Sequence, residues 1–124
     1  MTPKRVVERY LTEVLGGDHP PEELVSSAEL RQRAGALRRA FPGLEIEIVA
    51  LVGEDNLVAA HLVGRGTHLG VYQGVPPTGC SWEARCTAIY QVEEDRIADA
   101  WVTWDQLSLL EQLGAVERIQ AVSA

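Results

Sequence analysis

The spacing of apolar residues changes from helical to strand-like near residue 43. Before that point apolar side chains recur every three to four positions, and two breaks interrupt them, at Gly16-Gly17 and at Pro42-Gly43. The pattern predicts a first helix that begins at Thr2-Pro3 and ends before Gly16, a short helix over 22–25, and a second helix between Leu30 and Phe41.

After residue 43 apolar and polar residues alternate with the period of a strand. The alternation predicts four strands separated by two tight turns and one Gly- and Pro-rich loop at 70–79, and then a short closing helix; we place the strands at 44–52, 57–67, 81–92 and 96–104, and the helix at 106–113. Helices followed by consecutive strands indicate an α+β fold, an antiparallel meander with the N-terminal helices on one face. A sheet curled over its helices makes a cone-shaped fold with a cavity.

Composition limits what this chain can be. Its 124 residues, of which 46% are hydrophobic, suffice for one domain with one core, so we assign 1–124 to a single domain. A net charge of -7 argues against a nucleic-acid partner. No apolar run approaches the roughly 20 residues of a membrane span, and the N-terminus does not resemble a signal peptide. We therefore expect a cytoplasmic protein without a membrane partner.

The segment that ends the last strand carries the strongest candidate for chemistry. As a strand it puts Asp99, Trp101, Thr103 and Asp105 on one face. A large apolar surface beside a carboxylate disfavours its charged form, and the raised pKa suits proton transfer near neutrality. Asp105 is therefore the predicted catalytic residue. Asp105 also directly precedes the closing helix, and capping that helix is the alternative.

The other candidates have both a structural and a functional interpretation. Trp101 shares the face of Asp105 and is expected to line the pocket with it. His61, in the middle of a strand, becomes catalytic only if it points into the same cavity as Asp105. Candidate substrate contacts, each of which could instead belong to the core or to a loop, are Tyr10, His68, Trp82, Tyr90 and Asp99.

Several kinds of site find no support in the sequence. The three histidines and two cysteines form no metal-binding motif, so we predict no metal. The glycine-rich stretch at 64–70 has the wrong spacing for a dinucleotide loop, and we predict no cofactor. Cys80 and Cys86, six residues apart in one predicted strand, lie about 20 Å apart by the usual rise and are not expected to pair.

Three segments, 66–70, 74–79 and 96–101, together with Asp105, resemble the SnoaL-like polyketide cyclases. This family belongs to the superfamily that shares the fold of nuclear transport factor 2 and ketosteroid isomerase. The resemblance implies a curved antiparallel sheet wrapped by helices, a deep apolar pocket, and a homodimer or homotetramer. It also implies cofactor-free closure of a ring on an aromatic polyketide by an intramolecular aldol reaction, with an aspartate that maps to Asp105 as acid and base.

Three functions follow as hypotheses. The preferred one is a cofactor-free cyclase or isomerase of secondary metabolism that acts on a hydrophobic small-molecule carbonyl substrate, with Asp105 transferring the proton. A second enzyme would open an epoxide or form a pyran, and it needs two ionisable groups in one cavity. The third is a non-catalytic module that binds an apolar metabolite and uses Asp105 only as a cap.

Overall fold

The computed structural model describes residues 1–116, which form three α-helices and one four-stranded sheet. In chain order the elements are helix α1 (Pro3–Arg9), a π-helical stretch (Tyr10–Leu15), a 3₁₀ turn (Pro21–Glu23), helix α2 (Ala28–Ala40), strands β1 (Glu45–Glu54), β2 (Leu57–Thr67), β3 (Ser81–Glu93) and β4 (Arg96–Trp104), and helix α3 (Gln106–Gln112). The α+β fold class predicted from the sequence is confirmed.

Side-chain caps fix where the first two helices begin. The Thr2 hydroxyl accepts a hydrogen bond from the Arg5 N–H at 3.2 Å, with Pro3 in the first turn of α1. The Ser27 hydroxyl does the same for the Leu30 N–H at 3.2 Å. Because Ser27 caps it, α2 begins before the first apolar residue from which its start was predicted.

The first helix differs from the regular helix that its spacing predicts. From Tyr10 onward it widens into a π-helical stretch, whose last backbone bond joins Gly16 N–H to the Leu11 carbonyl at 3.0 Å. The stretch buries two adjacent pairs of side chains, Tyr10 with Leu11 and Val14 with Leu15. π-Helical insertions of this kind are often found at functional sites.

The sheet is an antiparallel meander in the order β1-β2-β3-β4, with irregularities in register after Ile48 and after Gln91. On the face covered by the helices, the rows across the strands are apolar, and two of them are Ile48-Leu62-Cys86-Trp104 and Leu51-Ala60-Ala88-Val102. On the opposite face, which we call the outer face, the corresponding rows are Ala50-His61-Thr87-Thr103 and Val52-Ala59-Ile89-Trp101. The register therefore assigns Trp104 to the inner side and Trp101 to the outer side.

The core consists of two neighbouring clusters on the inner side. The larger one packs α1, the π-helical stretch and part of α2 against the inner rows of the sheet. The smaller one surrounds Phe41 and Trp82, which meet edge to face with ring centroids 4.7 Å apart, and it includes Leu109 and Leu113 from the C-terminal helical region. Trp104 packs against both clusters.

The free edge of β4 is partly covered by the segment before α2. Ile97 N–H donates to the Leu24 carbonyl at 2.7 Å, and Ser26 N–H donates to the Ile97 carbonyl at 3.0 Å. Covering an edge in this way blocks it as a template for pairing with another strand. Among the helices of residues 1–116, none has both the length and the apolar character that a bilayer crossing requires.

Candidate functional site

A cavity of about 460 Å³ opens between the inner face of the sheet and the helices. Its walls come from the π-helical stretch, α2, the three strands β2 to β4, the segment 71–73 and the start of α3. Apolar surface predominates, from residues such as Leu30, Leu37, Leu62, Val102 and Trp104. A largely apolar cleft with a few polar groups is the usual form of a small-molecule site.

Two tyrosines place phenol groups in this cavity from opposite walls. Tyr10 on the π-helical stretch and Tyr90 on β3 are 2% and 1% exposed, and their ring centroids lie 5.8 Å apart in an edge-to-face contact. Within residues 1–116 no hydrogen bond contributes to the pKa of either hydroxyl. Burial raises the pKa of both phenols well above the ordinary value, so both remain protonated and able to donate.

Among residues 1–116, the polar side chains that line the cavity besides the two tyrosines are neutral, with the exception of one arginine. Burial raises the pKa of the Cys86 thiol to about 12, so the sulfur stays protonated. At the rim the Tyr72 hydroxyl donates to Gln106 Oε1 at 2.7 Å, and Gln106 donates in turn to Gln73. This short chain of hydrogen bonds joins the segment 71–73 to the start of α3. Within residues 1–116, Arg33 is the one charged side chain of the lining.

Such an arrangement favours the stabilisation of a developing oxyanion. Protonated phenols in an apolar, water-poor cavity can donate to an enolate or alkoxide oxygen, and the low polarity strengthens those hydrogen bonds. Among residues 1–116 no carboxylate or imidazole lines the cavity itself.

Asp105 follows β4 directly and caps α3. Its Oδ1 accepts a hydrogen bond from the Ser108 N–H at 3.2 Å, and its own N–H donates to the Arg85 carbonyl at 2.9 Å. The side chain is exposed, but its two neighbours along the chain, Trp104 and Gln106, both line the cavity. Only one carboxylate oxygen takes part in the cap. The capping alternative is thus present in the structure, whereas a role in proton transfer stays a prediction.

The expectation that the face of Trp101 and Asp105 lines the pocket is not met. Trp101 lies on the outer face with 54% of its surface exposed, because β4 directs Ala100, Val102 and Trp104 inward. His61 also lies on the outer face, two strands away from Trp101, so the sheet separates it from the cavity. Asp99 is exposed on β4, where its Oδ1 accepts from the Ala100 N–H at 2.8 Å.

Two further candidates belong to the core and to a loop. Trp82 packs between Phe41 and Trp104, with ring centroids 4.7 and 6.0 Å away, and does not line the cavity. His68 is fully buried, and its Nδ1 accepts from the Thr78 N–H at 3.2 Å and contacts the Thr78 hydroxyl at 2.9 Å. These contacts with Thr78 join the two ends of the loop that contains Tyr72. Of the eight predicted site residues, Tyr10 and Tyr90 are the ones that line the cavity.

Several lining residues were not predicted as site residues, and one signal in the sequence could have found some of them. The strict alternation of β3 points Trp82, Cys86 and Tyr90 to the same side, and pairing with β4 then places Ala100, Val102 and Trp104 beside them. That argument excludes Trp101 from the cavity and brings in Trp104. Arg33, Tyr72 and Gln106 carry no such signal, because their positions depend on how a helix flank and a loop close over the sheet.

The fold is that of a small α+β protein with a largely apolar cavity between sheet and helices. The family model of the SnoaL-like polyketide cyclases matches residues 2–113, and the chain belongs to this family. No curated protein shows significant sequence similarity to it.

Solved structures with similar folds include several proposed polyketide cyclases. IdmH from Streptomyces antibioticus, a proposed polyketide cyclase, is 25% identical with a TM-score of 0.75, and the match covers 92% of this chain and 99% of IdmH. TsrD from Streptomyces laurentii is 25% identical with a TM-score of 0.73, over 90% of this chain and 94% of TsrD. A proposed SnoaL-like polyketide cyclase from Jannaschia sp. CCS1 is 18% identical with a TM-score of 0.76, over 93% of each chain, which shows likeness of fold alone.

Proposed function

We propose that this protein is a cofactor-free cyclase that closes a ring on a hydrophobic polyketide-type carbonyl compound by an intramolecular aldol reaction. The observation that carries the proposal is the apolar cavity of about 460 Å³ with two buried, protonated phenols, from Tyr10 and Tyr90. Membership of the SnoaL-like family supports the same substrate class.

In this reaction the carbon next to one carbonyl loses a proton, and the resulting enolate attacks a second carbonyl of the same molecule. We assign the proton transfer to Asp105, which returns the proton to the new alkoxide so that acid and base balance. Support for this role comes from its position between Trp104 and Gln106 and from its second carboxylate oxygen, which the cap does not use. Tyr10 and Tyr90 donate to the enolate oxygen, and the cavity walls hold the flexible chain in its closing conformation.

A matched pair of variants tests the two roles of Asp105 separately. Asp105→Asn removes the base but keeps a side-chain cap of similar strength, so we expect an unchanged urea midpoint and a fall in kcat of about 10²- to 10⁴-fold. The assay follows ring closure of an aryl polyketone by absorbance. Asp99→Asn, which changes an exposed aspartate on β4, is the control and should retain full activity. Asp105→Asn at parental rate would overturn the catalytic assignment.

A second arm tests the phenols. Tyr10→Phe keeps the ring and its edge-to-face contact with Tyr90 but removes one donor, and we expect kcat to fall about 10²-fold with little change in binding of an apolar ligand. If every cavity variant binds apolar ligands and the parent closes no ring, the protein is a binding module.

The alternative that opens an epoxide or forms a pyran has less support. It needs two ionisable groups that converge on one cavity, and within residues 1–116 no aspartate, glutamate or histidine lines this one. His61, the histidine that could have paired with Asp105, lies on the outer face of the sheet.

We further propose that the outer face joins two copies of the chain in a homodimer. Its two middle rows expose Val52, Ile89 and Trp101 among small neutral residues, with 66%, 46% and 54% of these three side chains accessible. Charged residues lie at both ends of this face. At one end Arg65 bridges Glu47 and Glu83 at 2.9 and 2.8 Å, and at the other the outer row ends in Glu54 and Asp99. An apolar centre with a polar rim is typical of an interface, and a patch without charges lets two copies of an acidic protein meet there.

The state of association tests this second proposal. Trp101→Glu puts a carboxylate in the middle of the patch, and we expect sedimentation to show a monomer where the parent sediments as a dimer. Leu107→Glu, which changes another exposed apolar residue but on α3, is the control and should leave the dimer intact. A monomeric parent, or a dimeric Trp101→Glu variant, would disprove the assignment.

A further inference from the structure

Among the described residues that line the apolar cavity, Arg33 is the one cation. It lies on α2 one residue before Ala34, which faces the cavity together with Leu30 and Leu37, so its stem runs along the rim. The lining also includes the neutral side chains of Gln73 and Gln106, which hydrogen-bond to each other. Arg33 therefore has no charged partner among the described lining residues.

Within the part of the chain that the structure describes, the Arg33 guanidinium forms only one weak ion pair, with Glu29. Its ion pair with Glu29 is a single contact of 3.2 Å in which both side chains are more than half exposed. Exposed pairs one helical turn apart contribute little to stability and hold neither side chain firmly. An arginine carries five N–H donors in a planar fork, so most of its donors are available to a ligand.

The other arginines of α2 do not share this position. Arg31 donates to the backbone carbonyls of Val25 at 3.1 Å and Ser26 at 3.3 Å and so holds the segment before the helix. Arg38 and Arg39 line a separate groove with Asp18 and Gly43. The field of Arg33 also reaches the cavity interior, because its charge opposes the rise in the pKa of the Tyr10 phenol.

We propose that Arg33 is an anion subsite and that the substrate carries a carboxylate beside its apolar body, which the guanidinium binds at the cavity mouth. This inference rests on the proposed function, since it names the form of the substrate that the same cavity takes. In a chain with a net charge of -7, an anionic substrate needs such a local cation to enter. The planar fork can form paired hydrogen bonds with a carboxylate, which an ester or amide cannot accept as strongly. The carboxylate also fixes which end of the substrate lies deep, beside Tyr10 and Tyr90.

Paired ligands that differ only in charge test the subsite. Anthracene-2-carboxylate and anthracene-2-carboxamide are titrated calorimetrically against the parent, Arg33→Gln, Arg33→Lys and Arg38→Gln. We expect the parent to bind the carboxylate about ten-fold more tightly than the amide, and high salt to reduce that preference. Arg33→Gln should abolish the preference while leaving the affinity for the amide unchanged, and Arg33→Lys should keep part of it. Arg38→Gln, an arginine of the same helix outside the cavity, should behave as the parent.

The outcomes separate this inference from the function on which it rests. If the parent binds both ligands equally, or if Arg33→Gln still prefers the carboxylate, Arg33 is not an anion subsite although the cavity binds apolar molecules. If the parent binds neither ligand, the cavity is not a site for apolar molecules of this size, and both proposals fail.

Discussion

The indole of Trp104 extends across the sheet into space that Gly64 leaves open. A Cβ atom on Gly64 would lie 2.6 Å from Cη2 and 2.7 Å from Cζ3 of Trp104, and 3.3 Å from Cη2 of Trp82. Gly66, two residues further along β2, similarly lies close to Trp82 and Phe41. The glycines of β2 thus make room for the aromatic side chains that link the two core clusters and form part of the cavity wall.

This close contact predicts a stability effect at a single residue. Gly64→Ala should lower the free energy of unfolding by about 1 to 3 kcal/mol, because the added methyl group collides with a ring held in a packed core. Trp104→Phe removes the far edge of the indole, and in that background Gly64→Ala should cost much less. Urea unfolding of the four variants forms a double-mutant cycle that measures the coupling. Equal costs of Gly64→Ala in the two backgrounds would contradict this explanation.

At the scale of elements, the bounds of the strands were easier to predict from the sequence than which side of each strand faces the cavity. The bounds of β2 and β4 agree with the prediction, since turn residues and alternation fix both ends. The side of β4 that faces the cavity was predicted wrongly, because its alternation alone does not say which side is covered. Apolar Trp101 and apolar Trp104 occupy opposite sides, and only the pairing with β3 decides between them.

For the helices, the sequence predicts where they occur but not their detailed geometry. The spacing of apolar residues found the first helix, but it does not distinguish a regular helix from one that widens at Tyr10, because local packing against the sheet selects that geometry. Asp105 was recognised as both a cap and a catalytic candidate, and the structure shows the cap directly. The rim residues Arg33, Tyr72 and Gln106 come together from a helix, a loop and another helix, and no local pattern encodes such a meeting.

At the scale of the whole molecule, the two faces of the sheet have different proposed roles. The inner face supplies a cavity wall of apolar groups and protonated donors, and the outer face presents neutral rows with His61 and Trp101. Neighbouring residues of β4 therefore lie on opposite faces of the sheet. This is why site candidates taken from one stretch of sequence separate into the proposed active site and the proposed dimer interface.

The buried thiol and phenols of the cavity also predict how the free energy of unfolding changes at alkaline pH. Burial raises the pKa of Cys86 from its ordinary value of 9.0 to about 12 and raises those of Tyr10 and Tyr90 above 10.0. Below pH 9 these groups are protonated in the folded and the unfolded chain, so their contribution to stability is fully present. Between about pH 9 and 12 the unfolded chain loses these protons while the folded chain keeps them, so stability falls.

We expect the free energy of unfolding from urea titrations, followed by circular dichroism, to decline steadily from pH 9 to pH 11. Each of the three groups can add up to about 1.4 kcal/mol per pH unit to the slope once its unfolded form ionises. Tyr90→Phe removes one of these protons but retains the ring, so its decline above pH 10 should be shallower than that of the parent. A parent whose stability stays level to pH 11 would show that these groups ionise in the folded protein, and the cavity would then lose its protonated donors at the same pH.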